Sequence, residues 1–309
     1  MLVKAEQRVA VLTTSYPEFD GDPSGHFVQA EVRAWEAERA DVRVIAGRGS
    51  AFGWPGLSAR IRERPWRVLS ALGWAIRAMG KLRRLDMDHA IAHWAVPCGY
   101  PIATVGLRKR VTLELVSHGA DVRLLVALPA VVRERIVNQL VDRASCWRFV
   151  SSSLLESLCA SLATATALKV KRIARVQASP IEMPEMPTRD VRDGFARGEY
   201  AVSVGRLIAS KQVDVCIDWA AKHGVPLAVV GDGPEEPSLR RAAAKSGARV
   251  VWLGRLARPE ALAWIHDARA LVVASRDEGL STVVREAAHF GTEVIDLSQQ
   301  PRRPETPQA

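Results

Sequence analysis

The chain has 309 residues, 48% of them hydrophobic and 25% charged, and a formal net charge of +9 at pH 7. This length is typical of about two domains, and the apolar fraction is sufficient for a core in each. The apolar runs are too short for a membrane-spanning helix or a signal peptide, so we expect neither. The positive charge allows nucleic acid, an anionic membrane or a phosphorylated small molecule as a partner.

The cysteines indicate a reduced protein without a metal centre. Their positions are scattered, without a CxxC pair or a metal-binding spacing: Cys98, Cys146, Cys159 and Cys216. We therefore expect buried thiols in a cytoplasmic protein and no metal ligands.

The first elements predict a doubly wound α/β domain. A strand at Arg8–Thr13 runs into a turn-rich loop that ends at Gly25, a helix follows from His26 to about Glu38, and Asp41–Ala46 is the next strand. Ligands of such domains bind beyond the carboxyl ends of the strands, so the loop before Gly25 should face a cleft.

A basic helix follows between residues 65 and 85. Its large apolar residues stand at helical spacings: Trp66, Leu69, Leu72, Ile76 and Met79. Its flanks carry many Arg and Lys against one acid, Glu63. Such a helix can lie on an anionic membrane, or it can pack on its domain with a solvated basic face, and the sequence slightly favours the second.

Two later strands of this half end in polar residues. His93 ends the strand before the Pro97–Gly99 turn, and His118 and Asp121 follow the strand Val111–Val116. Carboxyl ends of parallel strands share one edge of the sheet, so these side chains should point into the same cleft. The Pro- and acid-rich stretch SPIEMPEMPTRD predicts a domain boundary. We expect a first domain over 1–180, a linker over 181–192, a second domain over 193–298 and a tail over 299–309.

The second half repeats the α/β pattern, with Gly-rich or charged turns after four strands. The first strand, Tyr200–Val204, is followed by Arg206 and Lys211, two cations that suit a diphosphate. The next two strands end in Gly231-Asp232-Gly233-Pro234 and in Gly254-Arg255. These turns predict a nucleotide-type site at one rim of the sheet.

The segment 271–291 completes this rim. Leu271–Ala274 reads as a buried strand, Ser281 can cap a helix to about Phe290, and Gly291 can end it. The start of a helix is an anion site, and the carboxylates of Glu278 and Glu286 can accept hydrogen bonds from sugar hydroxyls. The segment therefore predicts a site for a phosphate and a polyol together.

These motifs together resemble the family-4 retaining glycosyltransferases, which belong to glycosyltransferase group 1 and have the GT-B fold. Glu278 and Glu286 have the spacing of the EX7E motif, and the surrounding ASRDEGLSTVVREAAHFGTEVI is similar to that family's signature. VGRLIASKQ resembles its VGRLxxxKG segment, and AHWAVPCGYP and SHGADVRLL resemble its HxHWxxPxG and HGxD segments. The resemblance extends over nearly the whole chain to about Ile295.

The resemblance implies a fold and a set of residue roles. The fold would be two Rossmann-like domains that face each other across a cleft. Glu278 would hold the transferred sugar, with His118 near its reacting face, and His93 and Asp121 would lie on the acceptor side. Donor binding would involve these residues: Arg206, Lys211, Glu286, Gly279, Leu280, Ser281, Gly25, Gly231, Gly233 and Arg255.

The sequence departs from the family at three points. Glu293 replaces the usual proline of GTPVI, and the loop after Glu278 reads Gly279-Leu280-Ser281, without the common aromatic residue. After Ile295 only DLSQQPRRPETPQA follows, where the family has a further strand and helix. We therefore expect a shortened C-terminal domain.

The expected activity is transfer of a hexose from a nucleotide sugar to an acceptor hydroxyl with retention of configuration. The donor is a co-substrate, more often a UDP-sugar than a GDP-sugar, and no cofactor or metal is expected. The acceptor could be a sugar, a lipid-linked sugar or a small-molecule aglycone. The alternative is an inactive glycosyltransferase-like protein that acts as a binding or partner subunit. Nucleic acid binding has no motif to support it. We expect a cytoplasmic protein, either free or peripherally attached to the inner face of the membrane.

Overall fold

A computed structural model describes residues 6–53, 56–105, 107, 110–183, 185, 195–275 and 280–299. The chain divides into two compact units, Met1–Glu182 and Met183–Ala309. Each unit contains one parallel β-sheet with helices on its faces. No helix in these ranges is long and apolar enough to cross a bilayer.

The N-terminal unit is built on a six-stranded parallel sheet with the strand order β2-β1-β3-β4-β5-β6. Its strands are β1 Arg8–Thr13, β2 Asp41–Ala46, β3 His89–His93, β4 Thr112–Ser117, β5 Cys146–Phe149 and β6 Ala174–Val176. Its helices are α1 His26–Ala37, α2 Leu57–Glu63, α3 Arg67–Arg84, α4 Tyr100–Val105, α5 Ala120–Ala127, α6 Ala130–Arg143, α7 Ser152–Ala160 and α8 Thr164–Ile173.

Alternating side chains of this sheet form two cores. In β1, Ala10 and Leu12 face the larger core, and Val9 and Val11 face the smaller one. The larger core also holds Trp147 from β5. This alternation follows from the two-residue period of a strand, and burial of both faces explains why the strands read as nearly continuous apolar runs.

The C-terminal unit has a five-stranded parallel sheet with the order β11-β10-β7-β8-β9. The strands are β7 Ala201–Val204, β8 Leu227–Val230, β9 Val250–Gly254, β10 Ala270–Val273 and β11 Glu293–Asp296. The helices are α9 Val213–His223, α10 Glu236–Ser246, α11 Arg258–Asp267 and α12 Thr282–Phe290. The chain returns from β9 to the other side of β7, so the order of the strands reverses between β7 and β10.

The structure adds elements that the sequence analysis did not predict. Helices α2, α4, α5 and α8 lie in segments without a predicted helix, and Glu293–Asp296 is a strand paired in parallel with β10. The described part of the second sheet therefore includes a strand after α12, within the span 193–298 expected for the second domain.

Helix α3 packs on its domain, as one of the two sequence-based alternatives expects, but mostly through residues other than those singled out from the sequence. The helix buries Trp74, Ala78, Met79 and Leu82, whereas Leu69 and Ile76 are 69% and 75% exposed. Only one of the five apolar residues singled out from the sequence, Met79, lies in the core. The solvent face of the helix is therefore apolar along much of its length.

The four cysteines are buried free thiols. Cys216 on α9 donates from its Sγ to the carbonyl of Val272 in β10 at 3.7 Å. Burial raises the pKa of the Cys216 thiol to about 12. The prediction that the cysteines are buried thiols is thus confirmed in both units.

Candidate active site

A pocket in the C-terminal unit lies where the order of its strands reverses. The ends of β7 and β10 form its floor, and Lys211 and Ser281 line its sides together with Gly205. Open α/β sheets bind ligands at this position because the loops after the two strands diverge there. Two residues of the predicted donor site, Lys211 and Ser281, thus line one pocket at the reversal point, beside β7.

Lys211 and the start of α12 are the groups of this pocket that can attract an anion. A side chain built at position 205 would begin 3.6 Å from Lys211 Cε and 4.0 Å from its Nζ, so the ammonium lies over the bare backbone of Gly205. Ser281 stands at the N-cap of α12, but its hydroxyl makes no capping hydrogen bond. The positive end of the helix and the lysine therefore face one small volume.

Two predicted glycines, Gly231 and Gly233, allow neighbouring loops to approach each other closely. At Gly231 (φ 129°) a Cβ would lie 1.9 Å from the carbonyl oxygen of Gly205, and at Gly233 (φ 158°) it would lie 2.3 Å from that of Leu207. The loop after β8 is thereby held against the loop after β7, and the Leu207 amide donates to the carbonyl of Asp232 at 2.8 Å. These glycines shape the wall beside the pocket.

Three further residues predicted to bind the donor do not line the pocket: Arg206, Leu280 and Arg255. Arg206 is half-buried beside Gly205, and Leu280 is 39% exposed just before the α12 N-cap. Arg255 is exposed after β9, which β8 separates from β7. Neighbouring strands are about 4.8 Å apart, so the start of the Arg255 turn lies roughly 10 Å from the end of β7.

Glu286 has a partner that sequence reasoning missed. Its side chain is 3% exposed, and Arg258 Nη2 at the start of α11 donates to its Oε1 at 2.8 Å. A buried carboxylate needs a cation or several donors, and the ion pair supplies one. The sequence offers one signal for this pair: Arg258 stands next to Pro259 at the start of α11, where a cation opposes the helix dipole and so benefits from a nearby carboxylate.

Asp121, the predicted acceptor-side acid, organises the end of β4. Its carboxylate accepts hydrogen bonds from the amides of Ala95, His118 and Gly119 and from the Ser117 hydroxyl, at 2.7–3.2 Å. Burial raises the pKa of this carboxyl group, although these hydrogen bonds oppose the shift. The residue is 1% exposed, and its hydrogen bonds position the loop that carries His118.

His93 and His118 form a direct pair. His93 Nδ1 lies 3.0 Å from His118 Nε2, and His93 Nε2 lies 3.5 Å from a carboxylate oxygen of Glu31. Arg148 donates twice to Glu31, at 2.6 and 2.8 Å, and its Nε lies 3.2 Å from Glu114. The chain of contacts begins in the core and ends at the partly exposed His118 at the end of β4.

The electrostatics of this chain keep both histidines neutral. Burial, with a contribution from Arg148, lowers the pKa of His93 to about 3. Burial and the neighbouring His93 lower the pKa of His118 well below 6.5. One hydrogen bond links His93 Nδ1 and His118 Nε2, and the tautomers of the two rings decide which nitrogen donates.

The last residues of the predicted site are Gly25, in the loop before α1, and Glu278 and Gly279, which precede α12 in the sequence. Gly25 has φ 70°, and a Cβ there would lie 2.3 Å from the carbonyl oxygen of Ser15, so the loop folds tightly upon itself. The predicted residues Glu278 and Gly279 lie outside the described residues.

Comparisons with known proteins agree with this architecture. Residues 198–305 match the family model described as glycosyl transferases group 1. The structure resembles that of HepE from Anabaena, solved with UDP and glucose, with a TM-score of 0.65 and 16% identity over 97% of this chain and 84% of that one. The fold is that of the GT-B glycosyltransferases.

Two further GT-B neighbours resemble the chain to a similar extent. The sucrose-phosphate synthase of Thermosynechococcus elongatus has a TM-score of 0.63 and 17% identity over 94% of this chain and 81% of that one. The lipopolysaccharide outer core galactosyltransferase WaaB has a TM-score of 0.57 and 17% identity over 94% and 80%. A search of curated protein sequences gave no match.

Proposed function

We propose that the protein transfers a hexose from a nucleotide sugar to an acceptor hydroxyl with retention of configuration, as a family-4 enzyme. The observation that carries the proposal is the pocket between β7 and β10, where Lys211, the backbone of Gly205 and the start of α12 converge. It lies inside the segment that matches glycosyl transferases group 1. The GT-B neighbour HepE was solved with UDP and glucose, which favours a UDP-sugar as the donor.

The reaction requires stabilisation of the leaving diphosphate as the glycosidic bond breaks. Lys211 and the N-terminal amides of α12 would hold the developing negative charge, with Arg206 as a second cation. This arrangement supplies the electrostatic work of a metal ion, so we propose a metal-independent reaction. Glu286, oriented by Arg258, would accept from the ribose hydroxyls.

We assign contacts with the transferred sugar and the acceptor to the remaining predicted residues. Glu278, from the EX7E spacing, would hold the transferred sugar. His118 is kept neutral by its surroundings, so it would exchange hydrogen bonds with sugar hydroxyls and carry no charge to the reacting centre. A sugar, a lipid-linked sugar and a small-molecule aglycone each offer the acceptor hydroxyl.

Binding of UDP, measured by calorimetry or thermal shift, tests the donor site. Lys211→Ala should raise the Kd for UDP by about tenfold to a hundredfold, because one charge-assisted contact to a phosphate is lost. Lys222→Ala, an exposed lysine near the end of α9, is the matched control and should bind as the wild type does. Equal loss in both variants, or none in Lys211→Ala, would contradict the assignment.

Turnover separates the enzyme from an inactive relative. The wild type should hydrolyse or transfer from UDP-, GDP- or ADP-sugars, and the anomeric configuration of the product, read by NMR, should equal that of the donor. Nucleotide binding with no turnover of any donor, across acceptors of the three classes, would favour the inactive binding subunit. An inverted product would contradict the assignment to a retaining family.

A further inference from the structure

The net positive charge of the protein comes from one of its two units. Residues 1–182 contain 26 Lys and Arg against 17 Asp and Glu, whereas residues 183–309 contain 17 of each. Within the first unit, the stretch from Arg60 to Arg84 holds eight Lys and Arg and one acid, Glu63. Most of the net charge of the molecule therefore belongs to α3 and the residues that lead into it.

The same stretch exposes a row of large apolar side chains. Trp66, Leu69, Leu72 and Ile76 are 56%, 69%, 56% and 75% exposed. At 100° per residue they fall within about 120° of the helix circumference, opposite the side that buries Trp74 and Leu82. We call these four residues the α3 strip. Exposed apolar residues are ordinary when scattered, but a continuous row on one helix face indicates an interaction surface.

Cations stand at both ends of the α3 strip. Arg62 and Arg64 precede it, and Arg77, Lys81, Arg83 and Arg84 lie beside it or at its C-terminal end, all exposed. Arg67 is directed inward and pairs with Glu63 at 2.7 Å, so the one acid of the stretch is already engaged. The surface combines an apolar centre with a basic rim.

We propose that the α3 strip docks the N-terminal unit on an anionic lipid bilayer. The four apolar side chains enter the boundary between headgroups and acyl chains, and the rim cations meet lipid phosphates. Trp66 at the helix start has the amphipathic ring that favours this boundary. The helix lies in the plane of the surface, because its opposite face belongs to the core of the unit.

Charge selects this occupant over the alternatives. A second copy of the chain would bring two basic rims together, which opposes self-association. Nucleic acid would meet the cations, but it would leave the apolar centre without a partner. An anionic bilayer satisfies both parts of the surface, and this inference does not depend on the proposed enzymatic activity.

Sedimentation with vesicles tests the proposal on the full-length protein. Vesicles of phosphatidylcholine with about one-third phosphatidylglycerol should bind the protein at about 0.15 M salt, and phosphatidylcholine alone should bind it weakly. The double variant Leu69→Gln/Ile76→Gln should lower the partition coefficient by about tenfold or more, because two apolar side chains leave the interface. Arg83→Gln/Arg84→Gln should weaken binding and reduce its dependence on salt.

The matched control replaces exposed apolar residues elsewhere on the same unit. Val131 on α6 and Leu168 on α8 are 82% and 62% exposed, and Val131→Gln/Leu168→Gln should bind vesicles as the wild type does. All variants change exposed positions, so their thermal midpoints should match the wild type. Equal binding by the strip and control variants would overturn the proposal. So would self-association in sedimentation velocity that the strip substitutions abolish, with no binding to vesicles.

Discussion

At the scale of single residues, the N-terminal unit has a buried polar chain whose members are distant in sequence. Arg148 and Glu31 are 117 positions apart, and their bidentate contact holds the carboxylate next to His93. His93 and His118 were predictable as neighbours because both follow strand ends. Glu31 and Arg148 were not, because nothing in a helix or strand pattern shows which charged residue turns inward.

Buried neutral histidines make the stability of the fold depend on pH. The pKa of His93 is about 3 when folded, and the usual value near 6.5 returns on unfolding. The unfolded chain therefore binds more protons between these values, and stability falls as the pH drops below about 6.5. The pKa values of His89 and His118 are also lowered by burial, so they act in the same direction.

We expect the free energy of unfolding to fall by about 2 kcal/mol for each such histidine that stays neutral in the folded state, from about pH 7 to about pH 5. In His93→Gln, the decrease in the free energy of unfolding between pH 7 and pH 5 should be smaller by the contribution of one histidine. Denaturant titration at both pH values measures this decrease. His223→Gln, on the exposed end of α9, should keep the wild-type dependence on pH. An unchanged dependence in His93→Gln would show that His93 is not buried in neutral form.

At the scale of elements, the ion pair of Arg258 and Glu286 joins the start of α11 to the middle of α12. Helix α12 begins beside the pocket at Ser281, so its position decides where its N-terminal amides point. The ion pair is buried on both sides, with side chains 11% and 4% exposed. Its loss would leave a carboxylate inside the unit without this cation.

Arg258→Ala should destabilise the protein by about 3 kcal/mol, because the buried carboxylate of Glu286 loses its ion pair with Arg258. Arg240→Ala is the control: its pair with Glu236 at 2.7 Å is half exposed and its guanidinium lies 4.9 Å from the centre of the Trp252 ring, so its loss should cost about 1 kcal/mol. Denaturant titration of both variants measures the difference. Equal effects would mean that the pair on α11 and α12 is solvated.

At the scale of the whole molecule, both sheets were predictable because βα alternation is visible in each half. The reversal of strand order beside β7 was not, since the sequence does not state which strands pair. Each of the four unpredicted helices places an apolar side chain in or against the larger core: Leu57, Ile102, Val122 and Val170. Arg206 and Lys211 were grouped by motif, but Lys211 is the one that lines the pocket.

Each unit has its own buried cores, with no residue shared between the cores of the two units. We therefore expect residues 1–182 and 183–309, expressed separately, to unfold cooperatively, each with the sigmoidal transition of a folded domain. Circular dichroism during thermal denaturation measures this. A fragment with native-like helix content but no cooperative transition would show that its core needs the other half.

The second unit contains a single buried cysteine, whose reaction with a thiol reagent can report local opening of that unit. Cys216 is the one cysteine of the second unit, and the other three lie in the first. Its sulfur lies between α9 and β10, below the pocket, and its thiol stays protonated at neutral pH. A thiol reagent can reach it only when these two elements part, so its reaction rate reports how often the floor of the pocket opens. A nucleotide that binds the closed form would slow that rate.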